Sequence, residues 1–199
     1  SFSCSLSNLQ EGATYYVRAY AINSKGTNYG AEMSFTTKDY LENGHQYVDL
    51  GLSVKWATCN VGATKPEDYG DYFAWGETQP KSSYNWSWYK WCSGSEDTLT
   101  KYCTDSSYGT VDNQTTLDLS DDAARANWGG SWRMPTEAEL KELCENCTWT
   151  WICQNGVYGC KVISKMSGYT NKSIFLPAAG YYSDKSLKNV GERGSYWSN

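Results

Sequence analysis

The stretch that most restricts the fold is Trp128-Gly129-Gly130-Ser131-Trp132-Arg133-Met134-Pro135-Thr136-Glu137-Ala138-Glu139-Leu140. Thr136 and Glu139 form a capping box: the hydroxyl accepts from the Glu139 amide while the carboxylate reaches back to the Thr136 amide. A helix is therefore predicted from Glu137. Leu140, Leu143, Cys144 and Cys147 follow at i, i+3, i+4 and i+7, an apolar stripe that places both cysteines in a core, and Glu137 with Lys141 makes an i,i+4 pair on the wet face. Upstream, Gly129-Gly130 ends a short helix over residues 121–128. Residues 131–134 are expected to run extended, because Pro135 disfavours helical geometry just before it.

The rest of the chain reads as globular. With 40% hydrophobic residues in 199, a sizeable core is available, and ten Trp and 17 Tyr put much of the apolar area on rings that also carry a polar handle. A net charge of −5 lacks the basic footprint that phosphate binding needs, so nucleic-acid partners are excluded. No stretch approaches the roughly 18 apolar residues of a membrane span, so this segment is expected to insert in no membrane. Ser1 opens the chain with no initiator Met and no leader pattern, and the chain is read as a piece of a longer protein.

Residues 1–37 alternate as strands do: Phe2, Cys4 and Leu6, then Tyr15, Val17 and Ala19, then Met33 and Phe35, with turns at Glu11-Gly12 and Ser24-Lys25-Gly26. Three strands are expected, with Cys4 either an unpaired core thiol or one that has lost its partner. Residues 38–44 are polar and end in Asn-Gly, so the linker is placed there and a second domain over 45–199. Within it, residues 47–50, 54–59 and 72–75 read as short strands, and Tyr84, Trp86, Trp88, Tyr89 and Trp91 as rings alternating on a strand, most of them packed. Trp149, Trp151 and Cys153 share one strand face, Asn155-Gly156 marks a hairpin, and residues 160–163 return. Residues 174–177 and 180–182 are short strands, and residues 196–199 look like the start of another.

Leu9-x-x-Gly12-x-x-Tyr15-Tyr16-Val17-Arg18-Ala19-Tyr20-Ala21-x-Asn23-x-x-Gly26 resembles the last strands of a fibronectin type III domain, including a Tyr placed for its tyrosine corner. Further on, His45-x-Tyr47-Val48-Asp49-Leu50-Gly51-Leu52, Lys55-Trp56-Ala57-Thr58-Cys59-Asn60-Val61-Gly62-Ala63, the Trp128 to Thr136 run and Phe175-Leu176-Pro177-Ala178-Ala179-Gly180-Tyr181 resemble the Fibrobacter succinogenes major paralogous domain. That resemblance implies an α+β chain: a C-type-lectin-like domain of the formylglycine-generating-enzyme kind, with short twisted antiparallel strands and two helices, preceded by the last strands of an all-β fibronectin type III sandwich. It also implies an exported bacterial protein, secreted or at the cell surface. The family continues through further strands after its Tyr-Trp-Ser, so the closing strands are expected to be missing here, and strand edges to be open at both ends.

Candidate chemistry is sparse. Cys144-x-x-Cys147 has knuckle spacing, but both thiols fall on the buried stripe and no second knuckle exists, so no metal is assigned. Cys92 with Cys103 closes a short loop that an oxidising compartment could bridge. For Cys153 and Cys160, a two-residue Asn155-Gly156 turn sets Cys153 opposite Tyr158 and Cys160 opposite Trp151, too far for easy bonding, whereas a turn centred on Gly156-Val157 would bring the thiols opposite. His45, the one histidine, stands far from any Ser or Cys in a nucleophile context and is read as structural. Glu137 and Glu139 are taken by the helix start, so no glycosidase pair is assigned. Asp105, Asp112, Asp118, Asp121 and Asp122 lack the every-second-residue ligand spacing of an EF-hand loop, and Asp121 and Asp122 suit a helix start.

No cofactor is assigned and no catalysis is expected. The function expected is a recognition module binding a glycan or protein ligand; the alternative is an architectural spacer, and an enzyme related to the formylglycine-generating fold stands third. The resemblance implies a ligand face on loops of the C-terminal half. There, residues 183–195 read as a polar loop, offering Lys185, Lys188, Asn189 and Arg193 beside Tyr182 and Tyr196 as the ligand-binding set.

Overall fold

A computed structural model describes residues 4–6, 9, 13–37 and 40–199. The chain divides into two compact units, Ser1–Leu41 and Glu42–Asn199, each built mostly from small antiparallel strands, with two α-helices in the second. The architecture is mixed α+β, weighted towards β.

In the first unit, β1 (Thr14–Val17) pairs with β4 (Met33–Thr36) and β2 (Tyr20–Asn23) with β3 (Gly26–Tyr29). Between the two ladders Arg18 and Ala19 oppose Gly30, Ala31 and Glu32, one residue more on the returning arm. That is a bulge. Gly30 N donates to Ala19 O at 2.8 Å, and the bent arms are tied by Arg18 and Glu32 at 2.7 Å. Asn23 Oδ1 accepts from Lys25 N at 2.8 Å and closes the turn at Ser24-Lys25. The strand expected near the N-terminus falls partly on residues 1–3, outside the described residues, as does the turn at Glu11-Gly12. Cys4 is exposed rather than in a core.

The chain passes into the second unit within the two-residue strand β5 (Leu41–Glu42). Glu42 to Gly44, expected as linker, belong to the second unit's framework. Glu42 Oε1 accepts from Ser131 N and Oγ, both at 3.1 Å, its carbonyl accepts from Trp132 Nε1 at 2.7 Å, and Asn43 Nδ2 donates to Trp128 O. β6 (His45–Val48) then pairs with β7 (Trp56–Ala57), shorter than the strand expected over 54–59. Residues 72–75 form no strand, and a single 3-10 turn at Trp86–Trp88 replaces the strand expected there.

From Thr58 to Asp118 there is no regular strand, and the segment is held by aromatic side chains that bond backbone carbonyls. Trp91 Nε1 donates to Gly76 O at 2.7 Å, Tyr89 Oη to Trp75 O at 3.0 Å, Trp75 Nε1 to Ser198 O at 2.8 Å and Trp197 Nε1 to Phe73 O at 3.0 Å. Each ring buries apolar area and satisfies a carbonyl that a strand would otherwise have paired. Residues 196–199 are held the same way rather than forming a strand, with Asn199 N on Pro135 O at 2.8 Å.

α1 (Ala123–Trp128) is capped by Asp122, whose Oδ1 accepts from Arg125 N at 3.0 Å, and ends at Gly129 with φ 66°. Residues 131–134 pair with no strand; Met134 N donates instead to Asp122 Oδ2 at 2.8 Å. α2 (Glu137–Asn146) opens on the expected capping box. Leu143 is fully buried, but Cys144 is exposed. The helix stops at Asn146, so Cys147 reaches the core from a strand, and Cys144 is left on the wet flank of the stripe. On that wet face Lys141 meets Glu145 at 3.9 Å.

β8 (Cys147–Gln154), β9 (Val157–Ser164) and β10 (Ser173–Pro177) form a sheet with β9 central. Asn155 and Gly156, at φ 48° and 86°, make the two-residue turn that matches strand twist, so Trp151 lies opposite Cys160 and Cys153 opposite Tyr158. The wider turn is not adopted. Gly159 has to be glycine where β9 crosses the end of β10, since a Cβ there would lie 2.4 Å from Leu176 O. Leu50, Leu143, Cys147, Val162 and Ile174 form the core between α2 and this sheet, and the buried Ser164 hydroxyl is satisfied by donating to Leu50 O at 2.7 Å.

Candidate functional site

The second unit contains a cavity of about 1740 Å³, open to solvent, one wall of which is the β8–β9–β10 face carrying Trp149, Trp151, Cys160 and Leu176. Trp149 and Trp151 are 39% and 49% exposed because β8 is an outer strand and its far end extends past the core. Trp56, Trp132, Arg133 and Tyr181 contribute to the remaining lining. Trp56 Nε1 is buried and meets no acceptor among the described residues. A buried donor in that condition costs about 1–3 kcal/mol.

Polar groups lining the cavity are mostly engaged. Arg133 Nη1 and Nη2 hold Glu139 at 2.8 and 2.6 Å, and the Thr136 amide adds a third bond at 2.8 Å. Arg133 and these amide bonds pull the Glu139 carboxyl down to about 2 against the opposing effect of burial. Cys59 and Cys160, which also line the cavity, have their thiols pushed up by burial, the opposite of an activated thiolate.

Of the six residues expected to bind ligand, Tyr182, Arg193 and Tyr196 line the cavity, and Lys185, Lys188 and Asn189 do not. Residues 183–195 are not one loop: β11 (Tyr181–Ser183) and β12 (Ser186–Lys188) make a hairpin whose tip is Asp184-Lys185. Lys185 is exposed at that tip, which Asp184 fastens down by accepting from Ser83 Oγ and Asn85 Nδ2, both at 2.6 Å. Tyr182 packs inward, stacked on Tyr84 at 4.8 Å and edge-on to Tyr72 at 5.1 Å. Tyr196 donates its hydroxyl to Pro177 O at 2.9 Å, and burial pushes that hydroxyl up to about 12. Asn189, at φ 56°, donates to Glu192 Oε2 at 3.2 Å and turns the chain back. Lys188 and Arg193 do converge, but on Tyr181: Lys188 is its cross-strand partner, and the Arg193 guanidinium lies 5.4 Å over its ring. Alternation on β11 puts Tyr181 and Tyr182 on opposite faces, yet both contribute to the cavity lining.

In the ring cluster at residues 84–91, Tyr84, Tyr89 and Trp91 are packed, while Trp86 and Trp88 are exposed. His45 stacks on Trp128 at 4.4 Å. The five aspartates between residues 105 and 122 are each engaged by proton donors. Asp105 caps Ser107, Asp112 accepts from the amides of Tyr102, Cys103 and Gln114, and Asp118 meets Lys101. Asp121 is buried against Lys90 at 3.0 Å and against Lys101 and Tyr102 at 2.7 Å. Burial works to raise its carboxyl, and these three bonds outweigh it and hold it below the ordinary range. No group of three or more His, Cys, Asp or Glu suited to a metal ion occurs among the described residues. Cys92 Sγ lies on Trp86 O at 2.7 Å and Cys103 Sγ on Asp105 O at 3.1 Å, so that pair is not bridged. No helix among the described residues is long and apolar enough to cross a membrane.

Comparison with protein-family models, with curated proteins and with solved structures finds no match for this chain.

Proposed function

We propose that this chain is a non-catalytic recognition module of an exported bacterial protein, and that its ligand is a glycan chain lying along the open cavity of the second unit. On this reading residues 45–199 are a lectin-like major paralogous domain and residues 1–37 the closing strands of a fibronectin type III domain, as the sequence motifs suggest. The observation that carries it is the β8 wall, where Trp149 and Trp151 line the cavity with rings 39% and 49% exposed. Sugar rings present apolar faces that stack on such rings. Tyr181 and Arg193, whose guanidinium lies over that ring, add an aromatic face and a cationic donor at another part of the lining.

A cavity of about 1740 Å³ exceeds the roughly 300–1,000 Å³ of small-molecule pockets, which favours an extended ligand over a metabolite. Glycan-array screening followed by titration calorimetry tests the proposal. Trp149→Ala with Trp151→Ala should abolish binding while the melting temperature stays within a few degrees. Failure of every glycan to bind, or binding indifferent to these substitutions, would refute the reading and leave the spacer role in its place.

A further inference from the structure

We propose that β8 pairs edge to edge with β8 of a second copy of this chain, joining two three-stranded sheets into one. This goes beyond ligand recognition, since it uses the backbone of the strand rather than the faces of its rings.

β8 is an outer strand, and its ladder with β9 runs unbroken from Cys147↔Ser164 to Gln154↔Val157. Lys165 N donates to Asn146 O at 2.9 Å, in the same register and one position before the ladder begins. Antiparallel bonds recur at every second residue, so Thr148, Thr150 and Ile152 spend their backbone groups on β9. The N–H and C=O of Trp149, Trp151 and Cys153 point the other way. Among the described residues no hydrogen bond reaches those outward groups. Natural edges are blunted by charge, proline, bulges or shortness. Cys-Thr-Trp-Thr-Trp-Ile-Cys-Gln has none of these over its eight residues.

The occupant follows from the sequence of the edge itself. About Thr150 the strand reads nearly the same in both directions: Trp149 and Trp151 flank it, Thr148 and Ile152 come next, then Cys147 and Cys153. A two-fold axis through Thr150 therefore sets Trp149 against Trp151 of the second copy, and the reverse, at the positions whose backbone groups are free. Those two pairs exchange four backbone hydrogen bonds. Thr150 meets Thr150 of the second copy at the non-hydrogen-bonded position, with Cα atoms about 4.5 Å apart. Shifting the register by one residue would set outward groups opposite inward ones and lose the bonds. The edge is uncharged, so two chains of net charge −5 bring no like charges face to face along it. The arrangement is isologous and closes at two copies.

Sedimentation equilibrium and disulfide trapping on the whole chain test this. The parent should approach twice the chain mass as concentration rises, and Thr150→Lys, which opposes two ammonium groups at the axis, should remain monomeric. Its melting temperature at low concentration shows whether the variant is folded. Thr150→Cys should oxidise rapidly to a dimer whose mapped bridge joins residue 150 to residue 150, a separation compatible with a disulfide. Thr148→Cys, displaced from its own copy along the strand, should not bridge to itself. A parent that stays monomeric, an assembly that grows beyond two copies, or trapping at 148 equal to that at 150 would overturn the proposal. A Thr150→Lys variant that is folded and still dimeric would do the same.

Discussion

Acidification should release the clamp at the start of α2, and the size of the effect can be worked from the structure. Glu139 accepts two bonds from Arg133 and one from the Thr136 amide, which hold its carboxyl at about 2 against an ordinary value of 4.5. Because the folded value lies below the unfolded one, the stabilisation is fully present above about pH 4.5 and is lost as pH falls through about 2. A gap of that size corresponds to roughly 3 kcal/mol. The Arg133 side chain is 36% exposed, and solvent screening brings the expectation to about 2 kcal/mol. In a chain of this length that is about 4–8 °C in melting temperature. The assay is thermal unfolding followed by circular dichroism from about pH 6 to pH 2, on the parent and on Glu139→Gln. Other carboxylates also titrate there, so the difference between the two curves is what isolates Glu139. Near pH 6 the variant should melt lower by that amount, and the two should converge towards pH 2. Parallel curves, separated equally at both ends, would refute the linkage argument.

Two further outcomes follow from buried side chains. Asp121→Ala should cost about 3 kcal/mol, the low end for breaking a buried ion cluster, since Lys90 and Lys101 both reach solvent once released; denaturant unfolding reads this directly. Brief alkylation of the native protein should label Cys144 and Cys153 and spare Cys103 and Cys147 until it unfolds, and equal labelling of Cys144 and Cys147 by peptide mapping would contradict their placement.

The parts of the fold legible in the sequence are those governed by neighbours within a few residues. The capping box at Thr136, the Asn155-Gly156 turn and the alternation through Trp149 and Trp151 each depend on a local pattern with one good solution. Cys144 shows where such reasoning fails: the helical stripe is continuous in sequence, but the chain leaves the helix at Asn146, and Cys147 is buried as the first residue of a strand. Residues 131–134 fail for a related reason. Their composition suits a strand, yet Asp122 and Glu42 supply the acceptors a neighbouring strand would have offered, and no local rule announces partners that distant.

The candidate site was less legible, because the aromatic residues that dominate this chain act in two opposed ways that composition does not separate. Tyr182 and Tyr196, chosen for their position beside cationic loop residues, are ring-stacked or bonded through the hydroxyl to Pro177 O. Trp75, Tyr89 and Trp91 do the same work between residues 58 and 118, each donating to a carbonyl in a segment without strands. A ring whose polar atom is spent on backbone is fixed in place and contributes to the scaffold. A ring whose polar atom meets no backbone carbonyl is not drawn down in this way. Trp149, Trp151 and Tyr181 are of this second kind, and so stay partly open. The distinction therefore turns on where a ring's nearest unpaired carbonyl lies, a property of the folded chain. Trp56 is the informative exception, a ring on a short strand whose Nε1 is buried yet meets no acceptor among the described residues. Its donor is shut away from solvent as well as from carbonyls, so the bond that the scaffold rings make is forgone there, at a cost of about 1–3 kcal/mol.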